Sequence, residues 1–351
     1  MKHIMKRIFY TLLVLSAGLI GCNNELDINA PWQDVSIVYG MLDEQSDTNW
    51  VRIHRGYLGT EGIAGGSQQP DSLYYQNISV YMEELDKNDN VINIFQLTQD
   101  NSKDLDTGFF TTQGFHLYRL DQKVNQANSY RLIIEKPNNE GPQISATTPV
   151  VADFNITRPI GQQKVSFGLN GQDFDWQQAK YARIYQSYLR FYYVEINALD
   201  ASDSVRTYVD YKLSNVFGTT LDGSGQDISN NVKYEQFYRF LFNAIGPKEN
   251  VKRFFRGMDV YVVAGADDLA TYISVSQPAE GIVQDKPLFT NVTNGIGIFS
   301  STGTAEKLAM RLSNPSIDSL IKGIYTCDLM FGKASQADTC FCLVPGKFIC
   351  N

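Results

Sequence analysis

Ile78-Ser79-Val80-Tyr81-Met82-Glu83-Glu84-Leu85, the link Asp86-Lys87-Asn88-Asp89-Asn90, and Val91-Ile92-Asn93-Ile94-Phe95-Gln96-Leu97 together decide the fold class. Two runs rich in β-branched and aromatic residues flank a connection of Asp and Asn, which tolerate the left-handed backbone of a tight turn. The pattern is an antiparallel hairpin. Working outward, residues 35–42 form an apolar run and residues 50–57 alternate at period two, both as strands do. Residues 115–120 and 130–135 add two more short strands. Residues 59–70, rich in Gly and Gln, read as a loop. Six or seven strands ending at Pro149 predict an immunoglobulin-like antiparallel sandwich over residues 34–150.

Residues 151–326 predict a second β-rich domain with inserted helices. Phe154 and residues 165–169 supply strand material. The run through Ala182, Tyr185, Tyr188, Phe191, Tyr192, Tyr193 and Ile196 favours a strand by its aromatic content, with a helical start at 177–185 as the alternative. Residues 205–213 return as a strand. Residues 234–244 and 248–255 read as helices on either side of Gly246-Pro247. A buried strand at 258–264, a helix at 267–275 opened by Asp267, and a short helix at 314–321 complete the domain. No internal repeat is present. The composition is that of a folded chain, at 43% hydrophobic and 12% aromatic, with 20 Tyr and 20 Phe.

Leu19-Ile20-Gly21-Cys22 is a lipobox. It closes an apolar run over residues 8–20 that follows Lys2, Lys6 and Arg7. Those 13 residues are too few to cross a hydrocarbon core, which takes about 20. The three-part build is that of a lipoprotein signal over residues 1–21, with Cys22 as the lipidated N-terminus of the mature chain and 22–33 as a tether. Two or three acyl chains exceed what stable anchoring requires. Losing three basic residues and no acid moves the formal charge from −8 to −11. So acidic a chain is unsuited to nucleic acid, which rewards a basic groove, and unsuited to anionic headgroups. The expected contact with outer-membrane lipid therefore runs through Cys22.

The remaining cysteines, Cys327, Cys340, Cys342 and Cys350, all fall in the tail 327–351. An even set in an exported chain reads as disulfides. Cys340 and Cys342 stand too close in sequence to bridge each other without strain, so each is expected to pair with Cys327 or Cys350. A zinc site is the rival reading, though the paired C-x₂-C spacing and a nearby His are both missing. A tail with so little apolar periodicity needs covalent ties to stay ordered.

At Phe289-Thr290-Asn291-Val292-Thr293-Asn294-Gly295-Ile296-Gly297-Ile298-Phe299-Ser300-Ser301 the chain resembles a family of Bacteroidota outer-membrane lipoproteins of unknown function, often encoded beside TonB-dependent receptors. The Glu25-Leu26-Asp27-Ile28 start and Trp176 ahead of the aromatic strand resemble it too. The resemblance implies an envelope protein, display at the cell surface, and no catalytic residues to carry over. It also directs attention to Asp-Ser-aliphatic triplets, which resemble Bacteroidota O-glycosylation acceptors and nominate Ser72, Ser204 and Ser319. Read from the residues alone, Gly295 and Gly297 mark a turn beside the core or a close approach to another strand. They are no dinucleotide fingerprint, because the third Gly is missing and no helix follows.

Catalytic signals are sparse. Asp106-Thr107-Gly108 matches the aspartic-protease tripeptide but has no second copy with which to share a proton. His54 and His116 stand at strand positions, and no G-x-S-x-G elbow accompanies them. Asp86 to Asn90 and Asp222 to Asp227 offer oxygen ligands, without the sixth-position Gly and twelfth-position Glu of an EF-hand loop. Neither a cofactor nor a metal is expected. The sequence thus predicts a non-enzymatic lipoprotein serving as an accessory or binding subunit of a β-barrel, a TonB-dependent transporter or an assembly complex, with a glycan or nutrient as possible ligand. A free-standing glycan-binding lipoprotein is the second expectation. A cell-envelope hydrolase is the third, and it would need two carboxylates at glycosidase spacing in one cleft.

Overall fold

The computed structural model describes residues 34–56, 73–101, 116–137, 141–161, 163–276, 288–333, 340–344 and 347–350. The signal and lipobox, the 59–70 loop, Ser72 and Asp106-Thr107-Gly108 lie outside them.

The first half folds as strands β1 (Ser36–Asp43), β2 (Asn49–Arg55), β3 (Ser79–Leu85), β4 (Val91–Gln96), β5 (Thr98–Asp100), β6 (Leu117–Leu120), β7 (Ser129–Glu135) and β8 (Ile144–Pro149). The hairpin forms where the sequence places it, with Glu83 opposite Ile94 across antiparallel β3 and β4. Its turn is built by Asp89 at φ 60° and by the Asp86 carboxylate, which accepts from the N–H groups of Asn88 and Asn90. This carboxylate serves as a turn-forming acceptor. One sheet runs β4-β3-β7-β8, and a second contains β1-β2-β6-β5. Their inward residues, among them Val38, Val51, Met82 and Leu132, share one core, so the two sheets form a sandwich.

The second half adds β9 (Ile156–Arg158), β10 (Gln172–Trp176), β11 (Ala182–Asn197), β12 (Ser204–Lys212), β13 (Val216–Phe217), β14 (Ile228–Val232), β15 (Val251–Ala266) and β16 (Ile296–Met310). Three helices accompany them: α1 (Tyr234–Ile245), α2 (Asp267–Ser276) and α3 (Asn314–Lys322). Helix α1 buries Phe237, Tyr238 and Leu241, and Phe237 stacks on Phe167 at 3.8 Å between ring centres. The Gly-rich element opens β16: Asn294 turns at φ 58° and the strand begins two residues later.

The sheet order β12-β11-β15-β16-β1-β2-β6-β5 passes without interruption through the border expected at residue 150. The reason lies in the length of β16. Residues 296–302 pair in parallel with β1, and residues 302–310 pair antiparallel with β15. Phe299 accordingly fills the sandwich core, while Ala305 and Met310 belong to the core of the second half.

Three local expectations are corrected. Residues 248–255 are not helical, because β15 starts at Val251 and pairs residue by residue with β11, from Asn197 opposite Val251 onward. The aromatic and β-branched residues there satisfy a long strand better than an isolated turn of helix. Residues 165–169 form only a single bridge, Val165 to Leu312, although Phe167 is buried. Residues 177–181 make a turn, with Tyr181 at φ 67°, before β11 begins.

The C-terminal segment is tied by a disulfide between Cys327 and Cys342, with Cα atoms 5.3 Å apart. Strands β17 (Cys340–Val344) and β18 (Lys347–Cys350) pair antiparallel, and Cys340 stands opposite Cys350 in register.

Candidate binding cleft on the long sheet

The face of β11 that carries Tyr188, Arg190 and Tyr192 gathers charged and aromatic side chains from three neighbouring strands. Alternation sets it: Leu189 and Phe191 are fully buried, so their neighbours at period two point away from the core. Cross-strand register then assembles three rows. Lys212, Tyr188 and Tyr261 stand in one, Asp210, Arg190 and Asp259 in the next, and Tyr208, Tyr192 and Gly257 in the third.

Each row is held differently. Tyr188 and Tyr261 stack at 4.8 Å with their planes 14° apart. Arg190 makes a two-pronged pair with Asp210, Nε to Oδ1 at 2.7 Å and Nη2 to Oδ2 at 2.8 Å, and its guanidinium lies 4.2 Å over the Tyr208 ring. These hydrogen bonds to Asp210 raise the Arg190 pKa further still. Asp259 is 8% exposed; Oδ1 accepts from the Ala309 N–H at 2.7 Å and Oδ2 from the Tyr261 hydroxyl at 3.3 Å. Burial, reinforced by the Asp259 carboxylate, pushes the Tyr192 and Tyr261 hydroxyls above the ordinary phenol range. Tyr188, Tyr192 and Tyr261, all raised by burial, therefore stay neutral at physiological pH and act as hydrogen-bonding rings.

The third row opens a hollow. The pairing of β11 and β15 slips by one residue, since Tyr192 faces Gly257 and Tyr193 faces Phe255, which leaves Arg256 as the extra residue of a bulge. Bulges re-aim side chains, and here Gly257 at φ 152° accommodates the kink. With no side chain at 257, a cleft of about 590 Å³ opens beside Tyr192 and Tyr208, with Arg206, Arg256 and Asp259 also lining it. Its size is in the range of small-molecule sites.

The residues nominated from sequence do not meet here. His54 sits half-buried on β2, its ring stacked on Tyr39 at 6.3 Å, and burial lowers its pKa. His116 is buried, with Nδ1 3.2 Å from the Tyr75 carbonyl oxygen. Ser204 is exposed at the start of β12, whereas Ser319 lies half-buried in α3. The Asp222 carboxylate accepts from the N–H and hydroxyl of Ser224, as a turn does. Among the described residues no group of three His, Cys, Asp or Glu side chains is placed to hold a metal. Nor is any described helix long and apolar enough to cross a membrane. The aromatic run made the strand legible, and period two already put Tyr188, Arg190 and Tyr192 on one face. The partners Asp210, Asp259 and Arg256 come from other strands and left no local signal.

No protein-family model matches the chain, and no curated protein matches it by sequence. Among solved structures, trypsin-activated α2-macroglobulin from Escherichia coli is similar at 10% identity and a TM-score of 0.18, over 70% of this chain and 15% of that one. The C-terminal globular domain of an oligosaccharyltransferase from Pyrococcus abyssi is similar at 12% identity and a TM-score of 0.18, over 68% of this chain and 44% of that one. A biofilm-associated protein BSP domain is similar at 8% identity and a TM-score of 0.14, over 83% and 62% of the two chains. The chain thus spans less than two thirds of each of these proteins.

Proposed function

We propose that the chain is a lipid-anchored outer-membrane protein that works by binding rather than catalysis. In this reading Cys22 carries the acyl chains, the folded part is displayed at the cell surface, and the partner is a β-barrel such as a TonB-dependent transporter or an assembly complex. The cleft on β11, β12 and β15 carries the reading. Tyr and Arg are the residues that dominate contact energetics, and here they converge on one solvent-facing hollow. The carboxylate lining it, Asp259, is engaged by a backbone N–H and a tyrosine, the position of a structural acceptor rather than a general acid. The Cys327–Cys342 bond supports an oxidising compartment. Confinement to the membrane plane would raise the effective concentration of a partner, so a modest interface suffices.

A second reading, a glycan-binding lipoprotein, is favoured by the same cleft, because its tyrosine rings present apolar faces for sugar stacking and hydroxyls for its polar edge. The anchor itself is tested with Cys22→Ala. The variant is expected to leave the membrane fraction for the soluble envelope fraction; unchanged membrane fractionation would overturn the anchoring claim.

A further inference from the structure

The charges around the cleft narrow its ligand. The three arginines of this face are unequal in kind. Arg190 is neutralised by Asp210 at 2.7 and 2.8 Å and is spread over Tyr208. Arg206 and Arg256 line the cleft and make no ion pair among the described residues. The one acidic residue lining it, Asp259, has both oxygens occupied by Ala309 and Tyr261. The cleft therefore sets two guanidinium groups against a single carboxylate that is already held by other donors, a net positive lining in a chain whose formal charge is −8. Such a local reversal of sign is an electrostatic trap for an anion.

We propose that the cleft binds a carboxylate-bearing saccharide, with Arg206 and Arg256 taking the carboxylate and Tyr192 and Tyr208 taking the ring. This rests on the glycan-binding reading above. A guanidinium fork matches a planar carboxylate, giving hydrogen bonds that are shorter and stronger than neutral ones. Tyr208 retains 49% exposure although Arg190 covers part of its ring, so surface remains for a sugar to lie against. An acidic peptide is the weaker candidate, because no aliphatic side chain larger than Ala309 lines the cleft and a peptide side chain finds no apolar pocket there.

Calorimetric titration of the full chain in detergent micelles tests this with matched probes: oligogalacturonate against its methyl ester, sialyllactose against lactose, and a triglutamate peptide. The expected result is binding of at least one acidic saccharide, weakened about tenfold or more in its uncharged counterpart and in Arg206→Ala and Arg256→Ala, as for losing a charged hydrogen bond. Arg256→Lys should recover part of the loss, and each variant should keep the wild-type unfolding midpoint, since neither side chain is buried. Equal binding of charged and uncharged saccharides would overturn the carboxylate assignment and leave the glycan reading standing. Binding of the peptide alone would overturn the saccharide class. Binding of none of these probes would overturn both.

Discussion

Gly297 carries the tightest constraint at the scale of single residues. It sits in β16 at φ 117°, directly beside β1, where a Cβ would run into the Val38 carbonyl. Backbone strain and overlap with main chain cannot be relieved by a side-chain shift. Gly297→Ala should therefore lower stability by at least about 3 kcal/mol, read from the denaturant unfolding midpoint. An unchanged midpoint would contradict the parallel pairing itself. The sequence showed that this Gly permits close approach, but the approaching strand lies near the other end of the chain, and parallel pairing over such a distance leaves no local trace. Gly257 illustrates the same limit. It falls between the helix expected at 248–255 and the strand expected at 258–264, and the bulge that aims Arg256 into the cleft depends on register with β11, which only tertiary pairing defines.

At the scale of elements, local chemistry was a good guide where helices have clean starts. Ser313 caps α3 by accepting from the Ser316 N–H, with Pro315 in the first turn, and Asp267 and Asp268 open α2. It misled at 248–255, where Gly246-Pro247 breaks the preceding helix but nothing local distinguishes two further turns of helix from the beginning of a strand. Pairing with β11 decides it, and Arg253 is buried there against Glu195 at 2.8 Å. The tail is the element most dependent on covalent support. Its disulfide closes a segment with a sequence separation of 15, worth about 3 kcal/mol through loop closure. Cys342→Ser, or reduction of the wild type with dithiothreitol, should lower Tm to a similar extent. A Tm indifferent to both would show that the packing of Leu329 and Phe331, both fully buried, suffices without the bond.

At the scale of the whole molecule, the two halves that composition and turn spacing suggested share a sheet. Strand β16 is the link, since Phe299 and Val292 belong to the sandwich core although they come from the far half of the chain. A fragment ending at residue 150 would lose both residues and leave the outer edge of β1 without its partner. It should fail to show a cooperative unfolding transition; a sharp, reversible transition would contradict this account of the core. The same continuity joins the sandwich, through β1 and β16, to the strands that build the cleft. The central claim is that this protein acts by holding a partner at the membrane. It is tested most directly by affinity purification of the tagged full chain from mildly solubilised native outer membranes. The account predicts a β-barrel protein recovered in stoichiometric amount; recovery of the chain alone, as a monomer, would contradict it.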